Sequence, residues 1–323
     1  MNRADLTRPL RWFTVATTAY GALALASRTL VQRRETVGLD ETVTSGTVTF
    51  VDGIRLHFVR AGSGPPALLL HGFGASTFSF RETVPALSPR FQATALDLPG
   101  FGYSDRSPEH DYSSASQAEL VARFMRDQGM AGALVVGHSM GGGIALRLAQ
   151  RHPELVSRLV LVGSMNPRQR LMPAPLVKLT RPLMPLLGLG SGLSHLFSRR
   201  AMRRTVHDPA FATPAVVAGY NRPSLVKGTH AALQRIVQDG AKDKPIDLST
   251  IQIPTLLLWG ESDRLVPLSV GRQLLEEIPD ARLEVLTEAG HLPLEERPAA
   301  ANAILLHWLE ETENAAPDGS ARI

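Results

Sequence analysis

The sequence predicts an α/β protein with a mostly parallel, doubly wound sheet and a helical cap inserted after the sixth strand. Short apolar runs alternate with helical patterns along most of the 323 residues, as expected for strands covered by helices on both faces. The alternation stops at about residues 165–249, where prolines and glycines interrupt helical pieces. The chain length suits one large domain with an insertion, since such a chain can bury an extensive core.

The first 44 residues are predicted to form a separate N-terminal segment that is both apolar and basic. Trp12 to Ser27 is a run of sixteen residues without a charge, flanked by Arg11 and Arg28. Three interpretations stay open: a short membrane anchor, a cleaved signal peptide, and an amphipathic helix lying on the domain. The anchor leads, because arginines just past the possible cleavage site oppose secretion. We therefore expect a membrane-associated protein that is otherwise cytoplasmic.

Eight strands follow from the apolar periodicity. The first two, Val48 to Val51 and Ile54 to Val59, are joined by Asp52-Gly53, a two-residue turn typical of an antiparallel hairpin. The other six are short apolar runs at 67–70, 93–96, 133–136, 159–162, 255–258 and 283–286. Helices are predicted at 114–128, 140–152, 268–278 and 297–311, and within the cap at 194–206 and 225–238. The core thus comprises residues 45–164 and 250–312, the cap residues 165–249, and a disordered tail residues 313–323.

Ser139 is the candidate nucleophile, because it stands between a predicted strand and a predicted helix within Gly137-His138-Ser139-Met140-Gly141. So sharp a strand-to-helix turn needs glycine two residues before and after the serine, where any side chain would collide with the crossing backbone. The helix that follows directs its N-terminal amides, and the positive end of its dipole, at the serine. The pattern predicts a nucleophile elbow.

A serine needs a histidine base and an acid that orients this histidine. His291 follows the last predicted strand, which places it at the same sheet edge as Ser139. Asp263 follows the preceding strand and is preferred over Glu261 as the acid, because an orienting carboxylate usually lies in the turn beyond the glycine. Ser139, Asp263 and His291 are therefore the predicted catalytic residues.

Two backbone amides are predicted to stabilise the oxyanion that serine attack creates. One belongs to Met140, and the other to Phe73 in the His71-Gly72-Phe73-Gly74 loop, where glycines let the backbone approach closely. His71 is interpreted as a structural hydrogen-bonding residue. Apolar residues near the start of the cap predict the roof of an acyl pocket, and Met165 and Met172 are the candidate substrate-binding residues.

Charge is distributed unevenly, although the formal net charge is only +4. Residues 1–34 contain six arginines and one acidic residue, and residues 167–250 contain thirteen lysines and arginines against four aspartates. No nucleic-acid-binding motif accompanies these basic regions, and this absence argues against nucleic acid as a partner. The basic regions instead favour an anionic membrane surface as a partner. The absence of cysteine excludes disulfides, thiolate metal sites and a cysteine nucleophile. No histidine cluster has metal-ligand spacing.

Four motifs, in their order and spacing, resemble those of the α/β-hydrolase superfamily over residues of about 45 to 312. They are His71-Gly72-Phe73-Gly74, Asp97-Leu98-Pro99-Gly100-Phe101-Gly102, Gly137-His138-Ser139-Met140-Gly141-Gly142 and Gly290-His291. Within the superfamily the chain is most similar to capped serine hydrolases of the monoacylglycerol lipase and carboxylesterase kind. The resemblance implies a cofactor-free enzyme that cleaves small-molecule or lipid esters through an acyl-enzyme, with Ser139, Asp263 and His291 as its triad.

Other functions remain open on the same residues. A thioesterase, a perhydrolase and a carbon–carbon bond hydrolase could all use this triad, although carbon–carbon hydrolases of the superfamily usually carry an aromatic residue where this chain has Leu292. Haloalkane dehalogenases and epoxide hydrolases use an aspartate nucleophile, which Ser139 argues against. A non-catalytic ligand receptor on the same scaffold is the alternative from another class, since a fold does not fix a function.

Overall fold

Eight strands form one sheet in the computed structural model, which describes residues 33, 35–41, 45–168 and 199–314. The strands are β1 (Thr47–Val51), β2 (Ile54–Ala61), β3 (Pro66–Leu70), β4 (Gln92–Leu96), β5 (Ala133–His138), β6 (Val156–Val162), β7 (Thr255–Gly260) and β8 (Ala281–Leu286). Their order is β1-β2-β4-β3-β5-β6-β7-β8. Strand β2 is antiparallel to β1 and β4, and all other neighbours are parallel. The predicted α/β fold class is confirmed.

The hairpin at the start of the sheet follows from its turn residues. Asp52 and Gly53 have φ angles of 51° and 78°, the left-handed values that a two-residue hairpin turn requires at both positions. Val51 pairs with Ile54 directly beside the turn. The predicted antiparallel start of the sheet is therefore present.

Helices cover both faces of the sheet, because side chains alternate between two cores along each strand. Leu68 of β3 and Val135 of β5 belong to one hydrophobic cluster, whereas their neighbours Leu69 and Val136 belong to the other. This two-residue period is what a sheet buried on both sides produces. The covering helices are α1 (Thr83–Leu87), α2 (Ser114–Asp127), α3 (Met140–Arg151), α7 (Leu268–Glu277) and α9 (Pro298–Asn314), with a short α8 (Pro293–Glu296) before α9.

The cap lies between β6 and β7 and contains α4 (Arg199–Thr205), α5 (Pro214–Asn221) and α6 (Thr229–Gly240). A small cluster joins it to the body: Met202, Val206, Ala212 and Tyr220 of the cap pack with Ala75. The helices of the cap differ from the prediction in two places. Helix α5 was not predicted, and α6 begins at Thr229 instead of residue 225, because a separate 3₁₀ turn and Gly228 at φ 90° precede it.

Residues 35–41 of the N-terminal segment lie against the cap. The Glu35 carboxylate accepts the amides of Gly228 at 2.8 Å and His230 at 2.7 Å, at the start of α6. The Val37 amide donates to the Leu225 carbonyl at 3.1 Å. Glu35 thus supplies the acceptor that the exposed amides of a helix N-terminus require.

The predicted anchor from Trp12 to Ser27 lies outside the described residues. Within the described ranges, no helix is both long enough and apolar enough to cross a bilayer. Helix α9 continues to Asn314, one residue past Glu313, and the rest of the predicted tail also falls outside the description.

Candidate active site

Ser139 occupies a strained turn between β5 and α3. Its φ and ψ angles are 53° and −115°, a conformation that a residue with a side chain rarely adopts. A β-carbon at position 137 would lie 2.7 Å from the Gly141 carbonyl oxygen, and one at position 141 would lie 2.6 Å from the carbonyl oxygen of His71. Both glycines are therefore sterically required, as the sequence pattern predicts for a nucleophile elbow.

Two neighbouring loops hold the backbone of Ser139. Its amide donates to the Val162 carbonyl at 2.9 Å, and its carbonyl accepts the Met165 amide at 3.1 Å. On the opposite side, a β-carbon at position 72 would lie 3.1 Å from the Ser139 β-carbon. Met165, a predicted substrate-binding residue, is half-buried beside the predicted nucleophile. Met172, the other one, lies outside the described residues.

His291 and Asp263 form a buried hydrogen-bonded pair. His291 Nδ1 lies 2.8 Å from Asp263 Oδ2, and both side chains are more than 90 % buried. The other carboxylate oxygen, Oδ1, accepts the amides of Leu265 and Val266 at 2.9 Å each. Because a carboxylate held in this way can only accept, His291 Nδ1 must carry a proton, which leaves Nε2 free to act as a base. Glu261, the rival acid, is exposed.

Gly163 brings this pair close to Ser139. It follows Val162, whose carbonyl accepts the Ser139 amide. A β-carbon at position 163 would lie 3.1 Å from Asp263 Oδ2 and 3.4 Å from His291 Nδ1. The three predicted catalytic residues therefore converge at the carboxyl ends of β5, β7 and β8, on one edge of the sheet.

The two predicted oxyanion donors lie on either side of Ser139. Met140 is the first residue of α3, and Phe73 lies in the loop that contacts Ser139 through Gly72. Within the described chain, neither the Phe73 nor the Met140 amide donates to a protein acceptor. Buried amides are rarely left without an acceptor. The two N–H groups are thus available to a developing negative charge.

His138 also contacts the predicted base, and the sequence analysis did not anticipate this. Its Nε2 atom lies 2.8 Å from the His291 carbonyl oxygen, and the two imidazole rings are 4.8 Å apart. Burial, and then the neighbouring His291, lowers the pKa of His138 to about 3. The neutral ring must donate from Nε2, because a carbonyl oxygen can only accept. In the sequence, the position of His138 directly before Ser139 in the elbow could have indicated this contact.

His71 and Asp97 have structural roles. Burial lowers the pKa of His71, so its neutral ring accepts the Leu98 amide at Nε2, at 3.1 Å, and donates from Nδ1 to the Gly72 carbonyl, at 2.8 Å. Asp97 accepts the amides of Thr77 and Tyr103 at 2.7 and 2.9 Å. Together they fasten the loop after β3, which carries Phe73, to the loop after β4.

A buried polar cluster connects the cap to the body four residues beyond His291. The Glu295 carboxylate accepts the Tyr220 hydroxyl of α5 and the guanidinium of Arg81. Burial raises the pKa of Glu295 to about 7, outweighing the opposing effects of Arg81 and the Tyr220 hydroxyl. Such a cluster fixes its members firmly, because an unpartnered buried polar group is costly.

Comparison with known proteins gives a consistent set of relatives. Residues 65–298 match the family model described as alpha/beta hydrolase fold. An uncharacterized hydrolase of Bacillus subtilis, YugF, is 34 % identical over 251 residues, which cover 77 % of this chain and 92 % of YugF. A 2-hydroxymuconate semialdehyde hydrolase of Pseudomonas putida is 30 % identical over 255 residues, covering 74 % of this chain and 85 % of that protein.

Among solved structures, one similar chain spans nearly the whole sequence. It is a membrane phospholipase A, described as a bacterial virulence factor, with a TM-score of 0.68 and 26 % sequence identity. The match covers 98 % of this chain and 100 % of the phospholipase.

Proposed function

The chain belongs to the α/β-hydrolase fold family, and on this basis we propose that it is a serine hydrolase that cleaves carboxylic esters of apolar acyl chains. The observation that carries the proposal is the convergence of Ser139 with the His291–Asp263 pair, 2.8 Å long, at one sheet edge. The free Phe73 and Met140 amides beside Ser139 support it further, since acyl transfer requires a place for the oxyanion.

In the first half of the reaction, His291 Nε2 takes the proton of Ser139 as its oxygen attacks the ester carbonyl. Asp263 holds the tautomer with the proton on Nδ1 and stabilises the imidazolium. The Phe73 and Met140 amides bind the tetrahedral oxygen. Collapse of this intermediate breaks the bond to the alcohol, which leaves with the proton from His291, and an acyl-enzyme remains.

In the second half, a water molecule replaces the alcohol. His291 removes its proton, the hydroxide oxygen attacks the acyl carbon, and the same two amides stabilise the second oxyanion. The bond to Ser139 then breaks, and the serine regains its proton from His291. Every step uses only side chains and backbone amides of the chain, together with water.

A carbon–carbon bond hydrolase is the second candidate, and the 30 % identity to the 2-hydroxymuconate semialdehyde hydrolase favours it. Leu292, directly after the proposed base His291, argues against this candidate, because carbon–carbon bond hydrolases of the superfamily usually have an aromatic residue at that position. Cleavage of a vinylogous 1,5-diketone at a higher rate than any ester would reverse the order of the two candidates.

We expect octanoate esters to have a specificity constant at least about fivefold above that of the corresponding acetate esters. Each methylene buried in an apolar pocket contributes up to about 0.8 kcal/mol, so partial burial of six would exceed 1 kcal/mol. The measurement is kcat/KM for a p-nitrophenyl ester series. Met165→Ala should reduce the preference for the longer chain, whereas Met130→Ala, a buried change in the body, should leave the ratio unchanged.

Labelling with a fluorophosphonate probe distinguishes an enzyme from a non-catalytic receptor. A fluorophosphonate phosphonylates only activated serines, so it should label Ser139 stoichiometrically and remove the ester activity. A folded protein that binds esters without turnover or labelling would be a receptor. Equal specificity constants for acetate and octanoate would leave the hydrolase assignment standing and contradict the apolar acyl pocket.

The protein is further proposed to act at an anionic membrane surface. Trp12 to Ser27 and its flanking arginines are one source of affinity, and a solved structure that matches nearly the whole chain is that of a membrane phospholipase A. Helix α4 adds Arg199, Arg200, Arg203 and Arg204, which are exposed and form no ion pair with any described carboxylate. Glu35, at the end of the basic N-terminal segment, accepts the amides of Gly228 and His230 at the start of cap helix α6.

We expect the full-length protein to co-sediment with vesicles, increasingly so as the anionic lipid fraction rises and less so at high salt. A basic residue near such a surface contributes about 1 kcal/mol. Replacing the four α4 arginines by glutamine should therefore lower the partition coefficient at least tenfold, and deleting residues 1–34 should lower it further. The matched control removes four exposed arginines elsewhere: Arg126, Arg151, Arg272 and Arg282. Equal loss in both quadruple variants, or no binding by the full-length protein, would contradict the proposal.

A further inference from the structure

The Glu296 carboxylate accepts hydrogen bonds from the backbone amides on both sides of His291. Glu296, at the end of α8, accepts the Gly290 amide with both oxygens, each at 3.0 Å. Its Oε1 atom also accepts the Leu292 amide at 3.0 Å. The residues immediately before and after His291 are therefore fastened to the same side chain.

Glu296 also reaches the cap. Its Oε2 atom accepts the amide of His207, just beyond α4, at 2.6 Å. The His291 amide in turn donates to the Thr205 carbonyl, at the end of α4, at 2.8 Å. Each of the three consecutive amides at 290–292 thus donates a hydrogen bond either to Glu296 or to a residue of the cap.

The contact between the cap and this loop leaves no free space. A β-carbon at position 290 would lie 2.5 Å from the Thr205 carbonyl oxygen and 2.8 Å from the His207 amide nitrogen. Only glycine allows the two backbones to approach so closely. A shift of residues 205–207 would therefore be transmitted to His291.

The neighbouring carboxylate has a separate function. Glu295 is fully engaged with Tyr220 and Arg81 and contacts none of the three amides. The loop from 287 to 292 follows β8 and has no sheet partner for these N–H groups, so without Glu296 two of them would lose their acceptor. An amide that is left without an acceptor is destabilising, and the loop would relax to satisfy it.

We propose that Glu296 is a positioning residue, which fixes the His291 imidazole by clamping both flanks of its loop to the end of cap helix α4. The inference rests on the proposed role of His291 as the base. A base displaced by about 1 Å can lose about 100-fold in rate. Glu296 acts only through the backbone and makes no contact with the reacting atoms in this scheme.

The test compares Glu296→Ala and Glu296→Gln with Glu288→Gln. Glu288 lies in the same loop but is exposed and pairs with Arg297 at 2.6 Å, so its variant removes the same charge without removing the clamp. We expect kcat for a p-nitrophenyl ester to fall about 10- to 100-fold in Glu296→Ala with KM nearly unchanged. Glu296→Gln keeps one acceptor oxygen and should lie between Glu296→Ala and the wild-type protein. Glu288→Gln should match the wild type.

A second readout does not depend on turnover. The proton on His291 Nδ1, shared with Asp263, gives a far-downfield proton NMR signal when the imidazole is held in place. This signal should be present in the wild-type protein and in Glu288→Gln, and broadened or lost in Glu296→Ala. If the alanine variant does not fold, the glutamine variant decides by the same two measurements.

The outcomes separate the two proposals. A wild-type protein without ester turnover would refute the proposed function, and the NMR signal would still test the clamp. Wild-type kcat together with an unchanged signal in the folded Glu296 variants would overturn the positioning role. A uniform loss in the Glu296 and Glu288 variants would do the same, because it would assign the effect to charge alone.

Discussion

Replacing either Ser139 or His291 by alanine should lower kcat/KM for an ester by about four orders of magnitude. The double variant should have a kcat/KM only slightly below that of either single variant. The reason is that nucleophile and base act as a unit: without the base the serine keeps its proton, and without the serine the base has no proton to take. Residual turnover would come from the Phe73 and Met140 amides and from substrate binding.

Steady-state kinetics on the two single variants and the double variant provide the measurement. Ser249→Ala and His307→Ala are matched controls, since both side chains are exposed and distant in sequence from the site; they should retain wild-type rates. Strictly additive losses in the double variant would mean that Ser139 and His291 act independently, and the triad assignment would be wrong.

Asp263→Asn should lower kcat by about three to four orders of magnitude while the protein remains folded. The asparagine oxygen can still accept the Leu265 and Val266 amides in the place of Oδ1. Its NH₂ group then faces His291 Nδ1 and cannot accept from it. The imidazole is driven into the tautomer with the proton on Nε2, which cannot receive the proton of Ser139.

The rival acid supplies the control for this variant. Glu261 is exposed, and its backbone amide donates to the Leu286 carbonyl at 2.9 Å. Glu261→Gln should therefore change kcat by less than about twofold, as is usual for a surface change remote from a site's contacts. A severe loss in Glu261→Gln with a mild effect of Asp263→Asn would exchange the roles of the two carboxylates.

The sheet could be predicted because its strands are local patterns. All eight strands appear within a few residues of their expected positions, since continuous apolar runs such as Leu68 to Leu70 have few alternatives to burial on two faces. The elbow was equally readable, because glycine two residues before and after a serine is a local sequence pattern, although the contacts that require Gly141 come from the distant carbonyl groups of Leu70 and His71. The strand order then places Ser139, Asp263 and His291 on the same edge.

Other features could not be predicted, because they depend on contacts between distant segments. Glu296 reaches His207, 89 residues away, and Tyr220 reaches Glu295, 75 residues away. No local pattern distinguishes these residues from solvated ones. Helix α5 did carry a local signal, since Thr213 caps it and Pro214 occupies its first turn, but its weak amphipathic pattern hid it.

The insertion of the cap between the neighbouring strands β6 and β7 keeps the entropic cost of closing a longer cap segment small. The cap leaves after β6 and returns in β7, its direct neighbour, where Val162 pairs with Leu258. Since β7 begins at Thr255, which pairs with Leu159 of β6, the sheet fixes the separation between the two ends of the excursion whatever its length. Doubling a flexible connection raises the entropic cost of closure by only about 0.6 kcal/mol. The sheet can accept caps of very different size with little loss of stability. Under the proposed function, exchange of this one segment would change the acyl preference, provided that its replacement again accepts the amide of His291.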